Sequence, residues 1–506
     1  MTKPDSKNAF ADELTTFLAD KDFVYGPEPE IYGGAAGFYT YGPLGKRLKN
    51  NVENAIRRVF NQNGFYEIEY PIVSPEIVWK ASGHADSFND PVIVCSKCAN
   101  SFRADKLLEE NGVENAGHFT DDQMIDEIEN KKIVCPHCKG RLVLEINRHS
   151  LMMKTMIGRD QLAYNRPETA TTTYLPFKRY LNFFRQKTPF GVFQIGKAFR
   201  NEISPRQHVL RSREFTQAES QLFLHPDKKN QWDKWDKIKT AKLPFWPEDH
   251  QKKEKKVEHA TLEEALSKKW IQNQAFGWSL WLAFELFIQM GIPHHKIRLR
   301  QHFSDERAFY ASDAWDLEIE LQSYGWTECC GIHDRGDYDL NRHAKFSKQK
   351  LVAKTEDSKE FVPHVIEIAF GIDRPFFALC DLYYDKRETD EKRTIFSFPP
   401  QIAPIQVAVF PLVNKDGLNE FAEKIYQDLQ TQFLVVFDDT GSIGRRYARM
   451  DSVGTPYCLT IDYDSLKNND VTIRERDSMK QIRVKIPELP QKLNEYLQHG
   501  FNGEKK

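Results

Sequence analysis

Gly196-Lys197-Ala198-Phe199-Arg200-Asn201-Glu202-Ile203-Ser204-Pro205-Arg206, and then Arg211-Ser212-Arg213-Glu214-Phe215-Thr216-Gln217-Ala218-Glu219, form one polar stretch punctuated by Phe199 and Phe215. Residues 190–195 before it and 221–224 after it are β-branched and aromatic runs. Two extended runs around a polar centre with Pro205 predict an antiparallel hairpin with a long loop. Strand period two then puts Arg200 and Glu202 on one face, and Phe215, Gln217, Glu219 and Gln221 on one face of the partner strand. Unpaired charges are rarely buried, so a face carrying arginine, an aromatic ring and carboxylates is poorly built for a core. It suits a ligand that combines phosphate, base and ammonium. The plainer alternative is a solvated face laced by surface ion pairs.

Working outward, Asp316-Leu317-Glu318-Ile319-Glu320 alternates as a strand with a polar face, and Trp326-Thr327-Glu328-Cys329-Cys330-Gly331-Ile332 follows it. Residues 365–371 lead as a strand into Asp373-Arg374, where a helix over 376–382 should begin. An arginine at such a junction gains from the helix N-terminal dipole when it binds phosphate. Leu48, Val52, Ile56, Val59 and Phe60 form one helical stripe within 44–63, and Phe10, Leu14, Phe17 and Leu18 another near the start. Residues 1–12 are polar, and 26–45 are rich in Gly and Pro, as in a loop crossing the site. Residues 276–290 are strongly apolar but carry Glu285 and Gln289 and are too short to span a bilayer, so we expect a buried helix.

The 506 residues should form two to four domains. A formal net charge of −2 provides no global basic field, so any nucleic-acid contact must come from local patches. Eight cysteines without a signal-peptide pattern lead us to expect a reducing cytosol. Cys95-Ser96-Lys97-Cys98 and Cys135-Pro136-His137-Cys138 stand 36 residues apart. Two such knuckles can close one tetrahedral structural zinc site, with His137 an alternative ligand; unligated thiols or a redox pair are the other readings. Residues 226–269 are rich in lysine, with Trp232, Trp235 and Trp246, and read as an insertion whose cations could track an RNA backbone or simply be solvated. Pro399-Pro400 and Pro404 mark a domain boundary. Beyond it, strand (405–413), helix (417–432) and strand (433–437) alternate as a small α/β domain.

The quoted stretch resembles motif 2 of class II aminoacyl-tRNA synthetases, in the form used by glycyl-tRNA synthetases. Phe370-Gly371-Ile372-Asp373-Arg374 resembles motif 3, and motif 1 falls between Tyr41 and Pro71. Gly37-Phe38-Tyr39-Thr40-Tyr41-Gly42-Pro43, Trp79-Lys80-Ala81-Ser82-Gly83-His84, Arg166-Pro167-Glu168-Thr169-Ala170 and Asp337-Tyr338-Asp339-Leu340 fit the same family. The resemblance implies an α+β protein. An antiparallel-sheet class II catalytic domain would span 1–398, with insertions at 95–139 and 226–270, and an α/β anticodon-binding domain would span 399–506. It implies ATP-dependent activation of glycine, with Mg2+, and transfer to the 3′ end of tRNA. It also implies a cytoplasmic homodimer whose interface is built by the helix within 44–63; an ordinary core-facing helix is the alternative.

By the same resemblance, Arg200, Glu202 and Arg374 are the catalytic residues. Arg200 holds the α-phosphate, Arg374 and Arg211 serve the outer phosphates, and Phe215 stacks on adenine. The ATP set extends to Asn201, Leu210, Ser212, Arg213, Glu214, Glu328, Cys329, Gly371, Ile372 and Asp373. Glu168, Glu219 and Glu328 surround the glycine ammonium. Arg103, Phe215, Thr216, Gln217, Ala218, Glu367, Ile368, Ala369, Phe370 and Gly371 complete that pocket. Arg445, Arg446 and Arg449, in a basic turn with Tyr447, would meet the anticodon. The chain departs from the family at one telling place: Glu367-Ile368-Ala369-Phe370-Gly371 stands where the pattern is Glu-Pro-Ser-Phe-Gly. Ala369 cannot accept the hydrogen bond that the serine hydroxyl takes from the amine, which predicts weaker glycine binding. Two rival readings are a catalytically silent tRNA-binding relative and a class IIa ligase for another amino acid.

Overall fold

The hairpin forms as the alternation predicts, in a computed structural model that describes residues 6–113, 116–205, 207–307, 311–387 and 390–501. Arg206 of the quoted stretch lies outside the described residues. Nine strands make the central sheet. In chain order they are β1 (Phe65–Glu67), β2 (Phe190–Phe199), β3 (Glu214–Leu224), β4 (Lys242–Trp246), β5 (Glu258–Thr261), β6 (Ile297–Gln301), β7 (Asp313–Leu321), β8 (Gly325–Gly336) and β9 (His364–Gly371). Their spatial order is β5-β4-β6-β7-β8-β9-β3-β2-β1. Neighbours run antiparallel except at β4/β6 and β2/β1. Arg200 and Glu202 lie just past the end of β2, so strand period does not place them. Their loop does, held by the Arg200 N–H donating to the Arg213 carbonyl at 2.9 Å.

One face of the sheet is the core. Ala218, Leu222, Ile332, Ile366 and Ile368 pack there with helix α3 (Gln274–Gln289). That helix is buried nearly all round, as its composition predicts, and Asn273 caps it by accepting the Phe276 N–H at 2.9 Å. Two earlier helices join this core, α1 (Ser6–Asp20) through Leu14 and Leu18, and α2 (Pro43–Gln62) through Leu48, Val52, Ile56, Val59 and Phe60. Each fully buried side chain of this kind contributes about 1.5–3 kcal/mol. The apolar stripe of α2 therefore faces its own chain.

The 226–270 segment departs from the sequence reading. It supplies the edge strand β5 and its neighbour β4, and Trp232 and Trp235 are buried in the main core. The lysines masked a short strand because Pro244 and only five residues left no clear alternation. Past β9, helix α4 (Asp373–Tyr383) begins at the expected junction.

The C-terminal unit is a five-stranded sheet of β10 (Val407–Pro411), β11 (Val435–Phe437), β12 (Tyr457–Ile461), β13 (Asp470–Glu475) and β14 (Gln481–Lys485), in the order β11-β10-β12-β13-β14. Helices α5 (Leu418–Leu429), α6 (Ile443–Val453) and α7 (Leu489–His499) accompany it, with its own hydrophobic core. The basic stretch at 444–451 is helix α6 rather than a turn; Gly441 and Gly444 gave it the look of a loop. Buried arginines fasten this unit to the rest. Arg387 donates to Asp451 at 2.7 Å, and Arg476 donates to the carbonyls of Phe398 at 3.0 Å and Gly454 at 2.8 Å.

Candidate active site

The polar face of the sheet carries a cavity of about 280 Å³. Alternate side chains of three adjacent strands form its floor: Phe215, Gln217 and Glu219 from β3, Glu367, Ala369 and Gly371 from β9, and Gly331, His333 and Arg335 from β8. A bulge in β8 leaves Cys329 without a partner between Glu328, opposite Glu318, and Cys330, opposite Leu317. An extra residue re-aims its neighbours, so both Glu328 and Cys329 line the cavity. Arg200, Glu202, Leu210, Arg211 and Ser212 overhang from the β2–β3 loop, Arg374 from the start of α4, and Glu168 from the loop before residues 170–174.

Arg200 is poised for an anion. Its guanidinium sits 5.4 Å from the ring centres of both Phe88 and Phe215, and its Nε donates to the Pro167 carbonyl at 3.1 Å. No carboxylate among the described residues pairs with it. Arg374 meets Glu328 through its carbonyl at 2.7 Å and its carboxylate at 3.1 Å. Asp373 is turned the other way: Lys49 donates to it at 2.6 Å, the Thr216 N–H at 2.7 Å, and the Tyr41 hydroxyl also donates. One carboxylate thus ties α2, β3 and α4 together behind the cavity.

The carboxylates differ in their surroundings. Burial opposes ionisation of Glu367, but the Arg335 guanidinium and His333 bring it down to about 2. Arg335 donates to it at 3.2 Å and to Asp339 at 2.7 Å, and Gln221 adds a bond at 2.8 Å. Burial also opposes ionisation of Glu168, yet His84, Arg335 and the Thr171 hydroxyl hold its carboxyl well below the usual range. Glu219 goes the other way. Burial, then the charges of Glu367 and Glu168, push it up to about 8.

Residues 159–383 match the tRNA synthetase class II core domain (G, H, P, S and T), and residues 406–496 match the anticodon binding domain. Glycine–tRNA ligase of Thermococcus kodakarensis is 39% identical, covering 98% of this chain and 99% of that protein. The glycine–tRNA ligase of Pyrococcus furiosus is 40% identical over 96% of this chain and 98% of its own length. The chain belongs to the glycine–tRNA ligase family. The fold also matches a solved Giardia lamblia prolyl-tRNA synthetase in complex with prolyl-adenylate, with TM-score 0.59 and 15% identity over 96% of this chain and 75% of that one.

Within this glycine–tRNA ligase family framework, the resemblance-based set divides cleanly. The cavity gathers Arg200, Glu202, Leu210, Arg211, Ser212, Phe215, Gln217, Glu219, Glu168, Glu328, Cys329, Glu367, Ala369, Gly371, Asp373 and Arg374. Ala218, Ile368, Phe370 and Ile372 have their side chains in the core instead, Phe370 against Phe287 of α3, and Thr216 is buried on the same side of β3 as Ala218. Period two requires this, since their neighbours face the cavity. Asn201 bonds His149 at 3.1 Å, Arg213 braces the Glu202 carbonyl at 2.8 Å, and Glu214 pairs with Lys197 at 3.0 Å. Arg103 is held by Asp105 at 2.5 Å and Asp90 at 3.3 Å, outside the cavity. Glu328 keeps company with Arg374, and Glu367 takes the third corner beside Glu168 and Glu219. His333 and Arg335 were missed. Their spacing from Gly331 on a strand carried the signal, but nothing in the sequence marked which face was the site.

The four cysteines converge as their spacing predicts. Cys95 Sγ lies 3.5 Å from Cys138 Sγ, Cys98 Sγ 3.7 Å from Cys135 Sγ, and all four sulfurs fall within 4.8 Å of one another. Zn–S bonds of about 2.3 Å in a tetrahedron would space the sulfurs about 3.8 Å apart, so the set fits zinc. The N–H groups of Lys97 and Cys138 point at Cys95 and Cys135 sulfurs, at 3.4 and 3.5 Å, which favours thiolates. His137 is not among the converging ligands.

The C-terminal arginines do not act as one patch. Arg446 is buried and donates to the carbonyls of Pro411, Asp439 and Gly441. It fastens α6 to the sheet. Arg449 is half-exposed and pairs with Asp438 at 2.6 Å, while Arg445 lines a groove with Lys21 and Arg449. Arg446→Ala is expected to lower the melting temperature by several degrees, since three backbone carbonyls, that of Pro411 buried, lose their donor. The Arg445→Ala/Arg449→Ala pair is expected to leave melting nearly unchanged while raising the KM for tRNA and flattening its salt dependence. Calorimetry with charging kinetics checks both. Unchanged charging in the double variant would make the patch an ordinary solvated surface.

Proposed function

We propose that this protein joins glycine to tRNA in two steps at the sheet cavity. The observation that carries the reading is the juxtaposition, in one cavity, of Arg200, which pairs with no carboxylate among the described residues, and a wall of carboxylates. Glycine and ATP give glycyl-adenylate: a glycine carboxylate oxygen bonds to the α-phosphorus as the bond to pyrophosphate breaks. The 3′-terminal adenosine hydroxyl of tRNA then takes the glycyl group and releases AMP. No side-chain nucleophile is needed, so positioning and charge stabilisation carry the rate. Arg200 takes the α-phosphate with its planar fork, Phe215 the adenine, and Arg374 with Arg211 the outer phosphates. Class II synthetases use ATP with Mg2+, and the ion would neutralise charge on those phosphates. Glu168, Glu219 and Glu367 surround the ammonium. A wall this close to the α-carbon rejects larger amino acids by overlap.

Residues 1–398 are assigned to catalysis and 399–506 to the anticodon, with zinc at the four cysteines. No helix among the described residues is long and apolar enough to cross a membrane; we place the protein in the cytoplasm. A homodimer is assigned, and the exposed apolar residues open to a second copy include Tyr66, which meets Phe183, and Val73, in the small sheet that also carries Met156. Charging of tRNA with labelled glycine tests the reading; failure to form glycyl-tRNA with an otherwise folded protein would refute it.

Ala369 faces the cavity opposite Glu219 on one side and Gly331 on the other. A hydroxyl there would meet the amine, and a hydrogen bond to a charged group is worth about 1.5–3 kcal/mol. Ala369→Ser is therefore expected to lower the KM for glycine by about tenfold or more with little change in kcat. A KM unmoved by the serine would mean that position 369 does not meet the amine.

A further inference from the structure

The three carboxyl groups of the cavity wall are unequally partnered. Glu367 has Arg335 and His333, each at 3.2 Å, and Glu168 has His84 at 3.3 Å. Glu219 is 3% exposed and accepts the Thr169 hydroxyl at 2.6 Å, with no cation at ion-pair distance among the described residues. It lies opposite Ala369 while Gln221 lies opposite Glu367, so Glu219 and Glu367 are diagonal neighbours on adjacent strands. Glu168 is joined in sequence to Thr169. The remaining charges facing Glu219 are cations at a distance. Arg200 belongs to the overhanging loop, and Arg166 is committed to the Tyr70 and Lys197 carbonyls and to Gln194. A third buried anion beside two others, without a cation of its own, is costly, and retaining a proton removes that cost.

We propose that Glu219 carries a proton in the empty pocket and gives it up when the ammonium of glycine arrives, so that the amino group is recognised by exchange of a cation for a proton. The O–H bond of the Glu219 carboxyl breaks and its proton passes to solvent. The carboxylate left behind accepts an N–H from the ammonium, which enters and stays as –NH3+. Analogues with an uncharged hydroxyl in place of the ammonium cannot drive this exchange. The inference rests on the reading that the ammonium lies among Glu168, Glu219 and Glu367. The shift of Glu219 to about 8 agrees with it. In the ligand-free protein the same group lowers stability as pH rises from about 4.5 to about 8, because the unfolded glutamate has ionised and the folded one has not.

Titration calorimetry of glycine into the full-length protein, at pH 7 in phosphate and in Tris, counts the protons released. About 0.9 proton per site is expected at pH 7 and about 0.2 at pH 8.5, with the dissociation constant falling about ninefold between pH 6 and pH 7. Glu219→Gln should fold, release no proton, bind glycine more weakly and lose the pH dependence. Glycine binding by the parent with equal heats in the two buffers, after correction for volume, would overturn the exchange and leave the ammonium reading standing. Proton release that persists in Glu219→Gln would assign the proton to another group and equally overturn it. Glycine affinity unchanged in Glu219→Gln would contradict the ammonium reading itself, and the exchange with it.

Discussion

Replacing Arg200 by alanine is expected to cut glycine-dependent ATP–pyrophosphate exchange by about a hundred- to a thousandfold, the scale on which one positioned donor acts on transition-state charge. Arg200 stands between Phe88 and Phe215 without a carboxylate partner among the described residues, so its guanidinium is pre-organised rather than recruited. Its removal breaks no ion pair among the described residues, which favours an intact fold and a clean readout. Arg200→Lys should recover only part of the loss, because an ammonium cannot span two phosphate oxygens. The loss should fall on kcat, with tRNA binding changed little. Exchange within about threefold of the parent would remove Arg200 from the role given to it.

Loss of the four-cysteine site should have the largest effect on structure. The segment around it has its own small core, with Ile93, Leu107, Leu108, Met124, Ile128 and Ile133. A structural zinc contributes on the order of 10 kcal/mol or more to folding such a unit. Protein purified without chelator is expected to hold about one zinc per chain. Cys138→Ser, or metal removal, should open residues 95–142 to proteolysis while the central sheet keeps its melting transition. A metal-free native protein with all four thiols freely titratable would sink the assignment.

Much of this was legible in the sequence because it is written in short periods. The alternation through Phe215, Gln217 and Glu219 and the junction at Asp373-Arg374 both appear where a two-residue period predicts. The paired Cys-x-x-Cys knuckles needed only spacing. What the sequence hid is where local pattern and tertiary role separate. Arg446 looks like a surface cation, but it satisfies three carbonyls inside the C-terminal unit. Trp232 and Trp235 sit in a lysine-rich run yet belong to the main core. Strand β4 carries Pro244 near a sheet edge, where a missing N–H does little harm and a sequence pattern shows little. The bulge at Cys329 is invisible to any fixed period, although it brings Glu328 into the cavity. The stripe on α2 was legible as a helix, but not as to which neighbour it faced; packing against its own core settled that.

The carboxylate wall and Arg200 are together assigned the formation of glycyl-adenylate. ATP–pyrophosphate exchange by the purified protein, measured with each of the twenty amino acids in turn, tests it most directly. Exchange is expected with glycine, with rates at least about a hundredfold lower with alanine and serine, whose side chains would meet the wall. Comparable exchange with another amino acid, or none with glycine at any concentration, would contradict it.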